Sequence, residues 1–167
     1  MKQTKSLFTE SLLKLLEENA LRSLDTLAKL LGRSPEEVAQ EIRRLEQQKV
    51  ILAYKVILDQ EKLQRHVVQA VIEVKITPER GGGFDRLASR IAHYPEVRSC
   101  FLMSGSYDLL VFVEGRSLRE VATFVSEKLA TLKGVLSTAT HFLLKTYKEQ
   151  GVLVGEPEEG DRLAISP

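Results

Sequence analysis

Residues 104 to 108 read Ser-Gly-Ser-Tyr-Asp between two apolar runs, which puts a carboxylate, two hydroxyls and a phenol on one short turn. Those residue types suit the holding of a small polar ligand rather than bond-making chemistry. Nearer the N-terminus, Gln40, Arg43, Arg44 and Gln47 recur on one side of a helical repeat. Arginine pairs bidentately with guanine and glutamine with adenine, provided the helix enters the major groove of DNA. A sensor and a DNA reader on one chain would make a switch. Little else points to catalysis. His66, His93 and His141 have no ligand spacing with one another or with Cys100, so no metal is expected. No nucleophile or acid–base pair stands out, no cofactor is implied, and the chain is read as not an enzyme. Cys100 is alone, sits in an apolar run and is expected to be a buried small hydrophobe.

The elements that would carry the DNA-facing residues come first in the chain. Helical periodicity opens at Thr9, with Leu12, Leu13, Leu15 and Leu16 on one face, and stops at Asn19. Ser23 caps a second helix with Leu24, Leu27, Ala28, Leu30 and Leu31 as its stripe and Gly32 as its end. Ser34-Pro35-Glu36-Glu37 then forms a capping box with proline at the first helical position. The third helix runs to about Gln48 on a stripe of Val38, Ile42 and Leu45, leaving Glu36, Gln40, Arg43, Arg44 and Gln47 outward. After it, Val50 to Leu58 is β-rich, and a reversal near Ala53-Tyr54 would make a hairpin wing carrying Lys55. Arg33 and Ser34 in the turn and Lys55 on the wing complete the expected DNA-binding set. Acidity weighs against it: Glu36 and Glu37 suit the helix N-terminus, but Glu41 has no such role and is expected to repel phosphate.

From Val67 the period changes to two, with Val68, Ala70, Ile72, Val74 and Ile76 on one face. Pro78 and Gly81-Gly82-Gly83 break the chain before a helix whose buried side is Phe84, Leu87, Ala88 and Ile91. The triplet lacks the Lys-Ser/Thr ending of a phosphate loop and is read as a flexible connection. Val97 to Met103 and Leu109 to Glu114 make a hairpin around the Ser104–Asp108 turn. Ser117 caps a helix on Leu118, Val121, Ala122, Val125, Leu129 and Leu132, Gly134 closes it, and a last strand runs from Val135 to Tyr147. The order predicts an α+β chain: a winged helix-turn-helix followed by a ferredoxin-like βαββαβ domain with one sheet face uncovered. Domains are placed at 1–60, a hinge at 61–66, the sheet domain at 67–148 and a tail at 149–167 that is flexible or an arm over a neighbouring subunit. Burying the open face against a second copy is the simplest solution.

Charge qualifies the DNA reading. Residues 1–60 hold ten basic and nine acidic groups (+1), 61–148 thirteen and nine (+4), and 149–167 one and five (−4). A weakly basic reader binds DNA weakly, so several copies must act together. No apolar run approaches the roughly twenty residues that span a bilayer, and no signal core follows the N-terminus, so a cytoplasmic protein without membrane partners is expected.

Leu-Ala-Lys-Leu-Leu-Gly at 27–32, Ser-Pro-Glu-Glu-Val at 34–38, Arg-Leu-Glu at 44–46, Val-Ile-Leu-Ala-Tyr at 50–54 and Gly-Ser-Tyr-Asp at 105–108 occur in an order and spacing by which the chain resembles the leucine-responsive and asparagine-regulator (Lrp/AsnC) family of prokaryotic transcription factors. The resemblance covers nearly all residues. It implies a transcriptional regulator that binds double-stranded operator DNA, forms homodimers through the C-terminal sheet that assemble to tetramers or octamers, and holds an amino acid or similar effector between dimers. Carried over by position, the effector pocket would use Ser104, Gly105, Ser106, Tyr107 and Asp108 with Thr138 and Thr140. Asp108 would pair with an ammonium, and Gly105 would let backbone donors reach a carboxylate. The plainer reading is that Gly105 only permits the turn, Asp108 only caps it and the threonines only suit a strand. Two positions depart from the family pattern: Glu41, where relatives often carry arginine, and Lys49, where they often carry glycine. Two other readings stand beside this one. An acidic third helix would fit an oligomeric sensor that has lost DNA, and the sirohaem decarboxylases, which resemble the same architecture, would need His93 and Arg98 to converge.

Overall fold

The computed structural model of the chain describes residues 2–77 and 83–155, without the side chains of residues 2–6, 83 and 84. It divides into two compact units, Met1–Val56 and Ile57–Pro167, so the division falls shortly before the stretch read as a hinge.

Three helices build the first unit: α1 (Lys2–Glu18), α2 (Leu24–Leu31) and α3 (Pro35–Gln47). α1 starts seven residues before Thr9, the expected opening of the periodicity, and the added stretch brings Phe8 against the same core. Leu12, Leu16, Leu27, Ala28, Val38 and Leu45 are buried together. The stripe expected for α2 is narrower than its sequence: Leu24 and Leu30 are exposed, and only Leu27 and Ala28 are buried. Ser23 accepts the Thr26 N–H, and Gly32 takes the left-handed conformation with φ 61°. At α3 the capping box forms in both directions, Glu37 N donating to Ser34 Oγ at 3.2 Å and Ser34 N to Glu37 Oε2 at 2.9 Å. Losing the Ser34 hydroxyl in Ser34→Ala should cost about 1 kcal/mol, read as a lower thermal midpoint by circular dichroism. Lys49, just past the helix, holds φ 57°, a conformation glycine takes without strain.

The expected wing does not form. Residues 52–59 carry no regular structure, and Val50 N and Ile51 N both bond back to Leu45 O. A two-residue hairpin turn needs positive φ at its centre, which Gly, Asn and Asp supply and Ala53-Tyr54 does not. The stretch stays extended, with Leu52 81% and Val56 72% exposed.

The second unit is a four-stranded antiparallel sheet in the order β2-β3-β1-β4, from β1 (Val68–Ile76), β2 (Val97–Leu102), β3 (Leu109–Gly115) and β4 (Val135–Phe142). Alternation in β1 and β3 sends Ala70, Ile72, Val74, Ile76, Leu109, Val111 and Val113 to one side. There they pack with Ile91 of α4 (Gly83–Ala92) and with Val121, Phe124, Leu129 and Leu132 of the second helical segment. Both helical segments thus cover the same face, the ferredoxin-like arrangement. Pro78, Gly81, Gly82 and the Phe84 side chain lie outside the described residues.

The second helical segment is α5 (Leu118–Thr123) running into a π-helix at Phe124–Leu129, where Ala130 N bonds Val125 O, five residues back. The wider turn sets Phe124 and Leu129, five residues apart, both on the core side, while Leu118 and Ala122, expected there, are exposed. β4 stops at Phe142 rather than Tyr147. Beyond it, within the segment read as a tail, β5 (Lys148–Glu149) and β6 (Val152–Leu153) make a short hairpin around Gln150 and Gly151, both at positive φ. Residues 156–167 lie outside the described part.

Candidate functional site

At 100° per residue, Glu36, Gln40, Arg43 and Gln47 form one strip along α3 opposite Val38 and Leu45. All four are exposed. The helix shows four carboxylates in its sequence but turns few of them outward. Glu36 is held below the usual carboxylate range by its own backbone N–H and by Ser34, as an acid at a helix N-terminus should be. Glu37 is spent on the capping box and lies 3.8 Å from Arg33. Glu46 accepts the Tyr54 hydroxyl at 3.0 Å, and burial followed by that bond raises the Tyr54 phenol above its ordinary value.

Glu41 corrects the expectation of repulsion. Its side chain is 6% exposed, on the inner side of α3. Arg44 grips it with two bonds, Nε to Oε2 at 2.8 Å and Nη2 to Oε1 at 2.6 Å, and Thr9 of α1 donates its hydroxyl to Oε1. The hydrogen bond from Glu41 pushes the Arg44 guanidinium further above its already high value. This carboxylate therefore presents no free charge to a polyanion. The same bonds remove Arg44 from the outward set: its Nη1 donates to Gln48 Oε1 at 2.6 Å, so all three guanidinium nitrogens are engaged within α3 and its cap. Arg33 stands over the Phe8 ring, 5.3 Å from its centroid, and Lys55 sits on the unpaired stretch. Gln40, Arg43 and Gln47 remain together on the outward strip, while Arg44 does not point with them.

In the second unit the Ser104–Asp108 turn joins β2 to β3. Ser104, Gly105 and Ser106 are exposed, Tyr107 and Asp108 half-buried, and Gly105 holds φ 138°. Asp108 has a structural task. Between Lys75 and Ile76 the β1–β4 register shifts, and there the Ile76 N–H donates to Asp108 Oδ2 at 2.8 Å. Asp108 N also donates to Val74 O at 3.0 Å and Met103 N to Asp108 O at 2.8 Å, so the turn is fixed on both sides. Oδ1 is left without a protein partner among the described residues. Thr138 pairs with Val74 and Thr140 with Ile72, both of which face the helices, so the two threonines are half-buried on that side. They lie in mid-strand, two strand spacings or about 10 Å from the start of β3. One sheet end carries the turn and the approach to Thr138, but Asp108 bonds in the sheet plane rather than turning toward the threonines.

Sequence reasoning missed the Thr9–Glu41–Arg44 group, although 38, 41 and 45 are themselves one helical face. It also missed an open cavity of about 550 Å³ bordered by Glu96, Arg116, Arg119, Glu120 and Lys128. Two ion pairs occupy its rim, Lys128–Glu96 at 2.5 Å and Arg116–Glu120 at 3.3 Å. Burial is the largest single influence on the Glu96 carboxyl and raises it, but the bond from Lys128, a backbone hydrogen bond and the Lys128 charge together outweigh it, and the group ends below its usual range. His93 and Arg98 do not form a site together: His93 Nδ1 lies 2.6 Å from Ser89 O at the end of α4, and Arg98 pairs with Glu114 across the hairpin at 2.6 Å. Among the described residues no group of three or more His, Cys, Asp or Glu is placed to hold a metal, and no helix is long and apolar enough to cross a membrane.

Comparison with known proteins now bears on these parts. Residues 69–153 match the model of the Lrp/AsnC ligand binding domain. The uncharacterized HTH-type transcriptional regulator YugG of Bacillus subtilis is 46% identical over 157 residues, 93% of this chain and 95% of its own. The leucine-responsive regulatory protein of Haemophilus influenzae is 27% identical, covering 83% of each chain. A transcriptional regulator of Neisseria meningitidis, solved as its L-Met complex, superposes with a TM-score of 0.68 at 25% identity, over 87% of this chain and 94% of its own. These relatives are regulators, not enzymes. The protein accordingly belongs to the Lrp/AsnC family: it is an HTH-type transcriptional regulator with a ligand-binding domain in its C-terminal half.

Proposed function

We propose that the protein binds operator DNA in a sequence-specific way through α3 as a homo-oligomer, and that an amino acid or similar small molecule held between dimers shifts that assembly. The outward strip of α3 carries the proposal: Gln40, Arg43 and Gln47 stand on a capped helix whose Glu41 is turned inward. That inward turn removes the chief support for a sensor without DNA. Oligomer formation is favoured by the open sheet face, where register places Val71, Phe101, Leu110, Phe112 and Ala139 together. Phe101 and Phe112 pack edge to face at 6.0 Å and the Arg98–Glu114 ion pair lies toward one end, while Glu73, paired with His141, stands between Leu110 and Ala139. A mostly apolar face whose interior carboxylate already has a histidine partner suits a self-complementary contact between two copies.

The test is binding of the purified protein to DNA from its own promoter region, titrated with salt and with each amino acid. Saturable, salt-sensitive binding that one amino acid shifts is the expected result; no binding even at low salt would overturn the DNA reading. Arg43→Ala should weaken binding and flatten the salt dependence by about one phosphate contact per bound subunit. An unaltered slope would exclude this face of α3.

The effector turn needs a gentler substitution than alanine, because Asp108→Ala also strands the Ile76 N–H. Asp108→Asn keeps an acceptor for that N–H while removing the charge. It should leave the thermal midpoint nearly unchanged and abolish the amino-acid shift, by loss of the ammonium partner. A full response from a well-folded Asp108→Asn protein would remove Asp108 from the pocket.

A further inference from the structure

We infer that Glu41 is an internal counter-charge that withholds Arg44 from DNA phosphate and so holds down the affinity of the helix-turn-helix. The inference rests on the DNA-binding reading above and adds a residue that sets its strength. On α3, Arg44 lies about 60° from Gln47 on one side and about 60° from Glu41 on the other. It therefore borders the outward strip, close enough for a long side chain to serve either the DNA surface or the helix flank. The structure has it serving the flank. Two bonds to Glu41 and one to Gln48 engage every guanidinium nitrogen, although 37% of the side chain is still exposed to solvent.

Turning Arg44 toward a phosphate would strip two charge-assisted hydrogen bonds from the buried Glu41 carboxylate. Losing two such bonds at a buried carboxylate costs more than a solvent-screened phosphate contact returns to a half-exposed arginine. The balance keeps Arg44 at home. Across residues 1–60, where ten basic groups meet nine acidic ones, the loss of one cation from the DNA surface is a large share of the charge. Glu41 thus does not repel DNA by standing near it; it acts by occupying the cation beside it. A regulator held to weak contacts per copy depends on several copies binding together, which makes its occupancy of DNA responsive to changes in assembly.

The experiment compares the full-length protein with Glu41→Gln and with the double variant Glu41→Gln/Arg44→Gln, measuring affinity for one promoter fragment across salt. Glutamine keeps the shape and the Thr9 bond but carries no charge, and the double variant leaves no buried ion. Glu41→Met, unbranched and apolar, repeats the comparison if the glutamine variant proves unfolded in a thermal melt.

Glu41→Gln is expected to steepen the logarithmic salt slope by about 0.9 per bound subunit, so that its affinity falls about threefold more than the wild type's between 50 and 200 mM salt. The double variant is expected to return to the wild-type slope. A slope for Glu41→Gln equal to the wild type's overturns the inference, as does a double variant shallower than wild type, which would mean that Arg44 already touches phosphate. Either result leaves the DNA reading intact. If neither the wild type nor any variant binds, the DNA reading fails and the inference falls with it.

Discussion

Phe112→Asp should convert the protein to monomers at concentrations where the unaltered chain is dimeric, and reduce its affinity for operator DNA by about a hundredfold. Phe112 sits near the middle of the open sheet face, opposite Val71 on β1 and Ser99 on β2. Its side chain points away from the helices, so the core of Val111, Val113 and their neighbours does not lose a member. The fold should persist, with a melting curve still cooperative. In a two-fold contact the substitution enters twice, burying two like-charged carboxylates where two phenyl rings had packed. Sedimentation velocity reads the mass directly. The fall in DNA affinity follows because each copy brings one weakly basic reader, and the second reader binds as part of the same particle only while the copies stay joined. An unchanged mass would show that the open face is not where copies meet.

Arg44→Ala should lower the thermal midpoint of the first unit at neutral pH, and by more than Glu41→Ala does. The asymmetry comes from where the charges lie. Removing arginine leaves a buried carboxylate behind, whereas removing the carboxylate leaves an arginine already partly in water that can turn outward. Thermal melts of both variants at neutral pH test the pair, and equal losses in the two would show that the charge is not what Arg44 compensates.

The residues that carry local signals were legible. Ser34, Pro35 and Glu37 start a helix by hydrogen bonds that reach no further than three residues, and the alternation from Val68 to Ile76 needs only a sheet with one covered side. The sheet order followed from the sequence of elements. What failed depended on partners distant in the chain or on a count that sequence period does not show. The stretch from Val50 to Leu58 has strand-forming residues but no strand beside it. Asp108 is two residues from no obvious partner in sequence, yet takes the Ile76 N–H, 32 positions away, because a register shift frees that donor. Glu41 was misread for a simpler reason. Its charge led to its placement outside, when its spacing from Val38 and Leu45 already placed it inside and Arg44 three residues on supplied the counter-charge.

The π-helix between Phe124 and Leu129 bears on how relatives of this chain should be aligned. A helix that holds one extra residue within a turn can lose it without losing the turn, the five-residue bond closing to a four-residue one. Leu129 and Leu132, held by the core, would keep their places. A relative one residue shorter at this point would therefore show a gap in mid-helix, and that gap would record a tightened turn rather than a broken element or a missing loop.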